Sequence, residues 1–163
     1  MENYPFIPKS NKKIKVGDYW VMKLSDKSNS IGVIIDIPPD DLKLTREVII
    51  GLLDWNKAKH PKESELKNCK ILSQGHAHIK AINYSGKEIL GNINFKKLNI
   101  SPKIMIDTYG ANSNDYYLMQ GYKKIRKSDF KDDELYEMSG YWGYDYIKEI
   151  AENIFVKKDK NRL

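Results

Sequence analysis

One cysteine, Cys69, is all the thiol chemistry that this chain of 163 residues carries. That excludes an intrachain disulfide framework and a zinc site built on paired thiolates. No apolar run approaches the roughly 20 residues that a membrane-spanning helix needs. The first fifteen residues are polar and basic, include Pro5 and Pro8, and lack the apolar centre of a secretory signal. The expected compartment is therefore the cytoplasm. There is no internal repeat, no low-complexity tract, no phosphate-binding glycine loop and no nucleophile elbow. Gly140 and Gly143 flank only Tyr141-Trp142, Ser85-Gly86 has the chemistry of a turn, and Cys69 has no catalytic partner at a telling spacing. The reading is a non-enzyme without a cofactor.

What is present is a β-rich core. In Val16 to Leu24, the residues Val16, Asp18, Trp20, Met22 and Leu24 share one face of a strand, and Gly17, Tyr19, Val21 and Lys23 the other. Ile31, Val33, Ile35 and Ile37 repeat at period two. Arg46 to Trp55 is apolar on both faces, as a strand covered from both sides should be. Ser25 to Ser30 has turn composition, which makes the first two strands a hairpin, and Pro38-Pro39-Asp40-Asp41 breaks the ladder before the third. Asn56 to Lys70 reads as an exposed loop with a short helical turn in Lys62 to Asn68. Ala77, Ile79 and Ala81 alternate with His76, His78, Lys80 and Ile82 as a further strand. Tyr84-Ser85-Gly86-Lys87 turns it at a positive φ on Gly86, and Ile89, Gly91, Ile93 and Phe95 return. Lys103 to Tyr109 is one more strand.

The last third differs. Ala111 to Asp115 is a loop, and Tyr116 to Met119 a short strand. Lys123 to Lys127 is basic, while Asp129 to Glu137 carries a formal charge of −4. Ile147, Ile150, Ala151 and Ile154 recur at helical spacing behind Asp145 as a cap, with Lys157 and Lys158 at the favoured C-terminal end. Val156 to Leu163 is a charged tail. The expected fold is α+β: a bent antiparallel β-sheet, partly barrel-like, with the C-terminal helix packed on it. The expected organisation over 1–163 is a single domain. It comprises a basic N-terminal arm (1–13), a β-rich core (14–109), and an aromatic and acidic segment with the helix (110–163).

His76-Ala77-His78 puts two imidazoles on one strand face at a spacing that can chelate a metal, with Asp107 or His60 as loose third ligands. The same face carries Gln74 and Lys80, so its plainer reading is the wet side of the sheet, and no metal is expected. Asp40-Asp41 and Asp132-Asp133-Glu134 are paired carboxylates of the kind that solvate or cap turns. The eleven tyrosines and three tryptophans are more telling, because they crowd the last third. Tyrosine and tryptophan bury large area while keeping a polar handle, which suits either core packing or a protein-binding surface. The net charge of +6 and pI near 9.1 permit an acidic or nucleic-acid partner, though a lysine-rich soluble protein is the plainer reading.

Lys15-Val16-Gly17-Asp18-Tyr19-Trp20-Val21-Met22-Lys23-Leu24, followed by Ile31-Gly32-Val33-Ile34, resembles the opening of the immunity protein 26 family of bacterial polymorphic-toxin systems. Gly17-Asp18 and Gly32-Val33 match its pattern, and Lys23-Leu24 stands where Pro-Leu is common. His78-Ile79-Lys80-Ala81-Ile82, then Glu88-Ile89-Leu90-Gly91, is similar to the family's second hairpin. The resemblance spans Lys13 to Tyr109. It implies a cytoplasmic, non-catalytic protein that binds and neutralises the C-terminal domain of a cognate toxin, with nucleases among the target classes. A nuclease holds phosphate and is basic, so an acidic patch is the surface to look for. The candidate toxin contacts are Asp132, Asp133, Glu134, Tyr136, Tyr141 and Trp142, with Asp40 and Asp41 next. The alternative is a small β-barrel module that binds nucleic acid through Lys12, Lys13, Lys123, Lys124, Arg126 and exposed tyrosines.

Overall fold

The structure is a computed structural model, and residues 9–109 and 114–158 are described. The start of the basic arm, the Ala111 to Ser113 part of the loop and the end of the tail lie outside them. Strands β1 (Asp18–Lys23), β2 (Asn29–Asp36), β3 (Glu47–Lys57) and β4 (Ile71–His78) form an antiparallel meander. Two short strands complete the sheet: β5 (Gly91–Asn92) antiparallel to β1, and β9 (Tyr141–Trp142) parallel to β4. The order is β5-β1-β2-β3-β4-β9. A second antiparallel sheet orders β6 (Ile104–Thr108), β7 (Tyr116–Gln120) and β8 (Lys123–Lys127). The α+β class is as expected. Irregularities at Ser30/Gly32, Ile34/Asp36 and Leu52/Leu53 break the ladder and bend it, but the sheet stays open and does not close into a barrel.

The large sheet is buried on both faces, and the strand periodicity explains how. Trp20, Met22, Leu24, Ile34, Val48, Ile50 and Leu52 point into one cluster. Ile31, Val33, Ile35, Ile49, Leu53 and Trp55 point into the other. Gly32 stands under Trp20, whose indole ring lies 2.3 Å from where a Cβ would sit, so only glycine admits the ring. The irregularity before Asp36 shifts the parity, and Ile37 packs with the Trp20 cluster instead of continuing the line of Ile35. Val16 precedes β1 and is exposed.

Each face is closed by helical pieces. Over the Trp20 face lie α1 (Lys80–Ser85) and α3 (Tyr146–Ala151), the latter continuing in π-helical form over Glu152–Lys157. Ile147 and Ala151 are fully buried, Ile150 and Ile154 pack beside them, and burying a side chain such as Ile147 contributes about 1.5–3 kcal/mol. Asp145 holds the N-cap position, yet its side chain makes no cap bond. Val156 is buried in this contact and so is part of the helix instead of a tail. Over the other face lie the 3-10 turn Glu63–Leu66, α2 (Phe95–Leu98, capped by the Asn94 side chain at 2.9 Å from Lys97 N) and Tyr122.

Four expectations change here. The alternation through Ile79 and Ala81 does not extend the strand: β4 stops at His78, and both Ala81 and Ile82 turn inward on α1. Gly86 has φ −126°, not a positive value; glycine fits there because a Cβ would meet the Trp20 ring at 2.6 Å and Val21 O at 2.8 Å. Of the Ile89 to Phe95 strand only β5 forms. The arm is also partly anchored, since Asn11 is buried and its Nδ2 donates to Leu44 O and Glu47 O, each at 2.9 Å.

Candidate functional site

The chain leaving β8 is held at two places. Arg126 forks onto Asp132, with Nη1 donating to Oδ2 at 2.8 Å and Nη2 to Oδ1 at 2.7 Å. Asp132 also accepts the backbone N–H of Asp129 at 2.8 Å, and the Arg126 bonds hold its carboxyl below the usual carboxylate range. Further on, Ile106 N donates to Glu137 O at 2.9 Å and Ser139 N to Ile106 O at 2.8 Å, which straps the segment to the outer edge of β6. The Glu137 carboxylate meets Lys103 Nζ at 2.8 Å.

Along this stretch, from Phe130 to Tyr141 on β9, apolar side chains turn outward. Phe130 is 81 % exposed, Leu135 75 %, Met138 60 % and Tyr141 61 %. Asp133 and Glu134 are exposed among them, while Tyr136 is half-buried. Two candidate contacts are corrected. Asp132 is 2 % exposed and is a structural partner of Arg126. Trp142 lies in the core, its ring against Gly75, where a Cβ would be 2.4 Å from it. The charge of the segment narrows accordingly: Arg126 and Lys103 offset Asp132 and Glu137, Asp129 is exposed 3.9 Å from Arg126, and Asp133 and Glu134 are exposed without an ion pair among the described residues. Asp40 and Asp41 lie apart, exposed on a 3-10 turn (Asp40–Leu42), and Asp41 Oδ2 accepts from Tyr109 OH at 3.0 Å.

Beside Tyr141 a cleft of about 240 Å³ opens where the two sheets meet, walled by Glu47, His76, Asp107, Tyr122 and Tyr141. His76 Nε2 bonds Asp107, and its Nδ1 lies 3.3 Å from Tyr122 OH. Burial, together with Glu47, Asp36 and Asp107, pushes the Tyr122 phenol far up, so it keeps its proton. With both nitrogens engaged, His76 ties β4 to β6 and to the turn after β7. Tyr122 N donates to Asp36 Oδ2 at 2.8 Å, and Gln74 exchanges bonds with the Lys103 backbone at 3.0 and 3.3 Å. The seam between the sheets is thus substantially polar.

His76 is therefore half-buried in this seam and not on a wet face. His78 diverges to lie 5.6 Å from the Tyr144 ring, where burial lowers its pKa, and Asp107 reaches His76 alone. Among the described residues no group of three or more His, Cys, Asp or Glu side chains is placed to hold a metal ion. Burial raises the Cys69 thiol above its ordinary range, which keeps it protonated. The parts missed from sequence were Glu47 and the outward Phe130, Leu135 and Met138. The last three carried a signal, as large apolar residues set singly in an acidic stretch. No described helix is long and apolar enough to cross a membrane. No family model, no curated protein and no solved structure matches this chain.

Proposed function

We propose that this chain is a non-catalytic immunity protein, which neutralises a cognate toxin by binding the toxin's C-terminal domain through the segment from Phe130 to Tyr141. The observation that carries the reading is the exposure of Phe130, Leu135, Met138 and Tyr141 on a segment pinned at both ends. Large apolar side chains held outward on an anchored backbone lose little entropy on docking and supply the buried centre of an interface. Asp133 and Glu134 sit beside them and would steer a basic partner. The resemblance of Lys13 to Tyr109 to immunity proteins supplies the kind of partner.

The basic strand β8 supports this reading over a nucleic-acid module. Its side chains are exposed, but Arg126 is spent on Asp132, Lys127 pairs with Asp115 at 2.8 Å, and Lys124 lies over the Tyr109 and Tyr117 rings at 4.3 and 4.5 Å. The test is survival of cells that co-express the chain with the toxin domain encoded beside it. Because Asp132 is structural, the charge reversal is confined to Asp133→Lys with Glu134→Lys, combined with Leu135→Asp. This variant should fold, as judged by circular dichroism, and should lose protection. A folded variant that protects as well as wild type would remove this surface.

A further inference from the structure

A second cleft, of about 500 Å³, lies between β1, the chain just after β3, the loop after α1 and Lys148 of α3. Its volume falls within the range of small-molecule sites. Lys23, Lys87 and Lys148 line it together with His60, and Glu88 is the sole lining carboxylate among the described residues. Among the described residues, none of the three cleft lysines makes an ion pair. Three lysines lining one concavity with a single carboxylate give it a positive field toward whatever enters it. At the rim, the Tyr84 ring is 58 % exposed and is backed by Tyr144 with centroids 5.0 Å apart.

We infer that this cleft binds a small phosphate-bearing ligand with a planar ring, the chemistry of a mononucleotide. The three ammonium groups would take the phosphates as point charges, and the open Tyr84 face would stack the ring. The cleft shares no lining residue with Phe130 to Tyr141 and does not depend on the toxin reading.

The experiment is calorimetric titration of the full chain with ADP and, separately, with pyrophosphate at about 150 mM salt. The expected result is saturable 1:1 binding of ADP, weakened roughly tenfold or more in the Lys23→Gln, Lys87→Gln, Lys148→Gln variant. Tyr84→Ala should weaken ADP while leaving pyrophosphate unchanged. The lysine variant changes side chains that make no ion pair, so it should retain the wild-type circular dichroism. Absence of saturable binding by both probes would overturn the inference, as would undiminished ADP binding in the folded lysine variant. Equal affinity for ADP and pyrophosphate would overturn the role given to Tyr84.

Discussion

Asp132 accepts two guanidinium N–H groups and one backbone N–H, and so does the work of a turn-former. Glu65 is bound in the same manner by Lys62 N at 3.0 Å, Lys57 and Lys59, and its pKa is lowered to about 2 from the ordinary 4.5. Both folded-state values lie below the unfolded ones. Each carboxylate therefore contributes stability that is fully present above its unfolded pKa and is lost as pH falls through the folded one. Urea midpoints measured between pH 5 and pH 2 should fall with acid, and the fall should be shallower in Asp132→Asn, which has already lost part of it. At pH 7 the same variant should unfold earlier than Asp133→Asn. Equal midpoints for the two would mean that Asp132 is as free as its neighbour. None of this was legible in Asp129 to Glu137 alone, because the partner that buries Asp132 comes from the preceding strand. Trp142 was hidden for a related reason: its place in the core depends on Gly75, remote in sequence.

Among the elements, the strands were legible wherever side chains alternate against two fixed faces. Trp20, Met22 and Leu24 fall on one side of the sheet as their period requires, and β3 is apolar on both sides because both are covered. The same reasoning failed after His78, where Ile79 and Ala81 are buried by a turn onto the sheet and not by its extension. Period two over a few residues does not separate a strand end from a short helix with two inward neighbours. The final helix was legible because its spacing persists over two turns, and its docking makes a sharp prediction. Ile147→Ala removes a fully buried side chain from the contact between α3 and the sheet and should cost about 2–5 kcal/mol in urea unfolding. A change within the error of the wild-type measurement would mean that the helix does not close that face.

In the whole molecule, two sheets of unlike character meet at a largely polar seam. The large sheet carries both apolar cores, and the small one presents β8 and the strapped segment after it. The stretches from Lys13 to Tyr109 on which the proposed immunity reading draws lie chiefly on the large sheet, whereas the proposed working surface lies on the segment beyond the small one. That division explains why the framework could be read from sequence and the surface only in part: Tyr141, Asp133 and Glu134 were anticipated, Phe130, Leu135 and Met138 were not. The most direct measurement is the equilibrium affinity of the purified chain for the toxin domain, compared with that of Phe130→Asp combined with Leu135→Asp. The account predicts tight binding by the wild type and, in the variant, a loss of roughly 30-fold or more with an unchanged melting temperature. A folded variant that binds the toxin domain as tightly as wild type would contradict it.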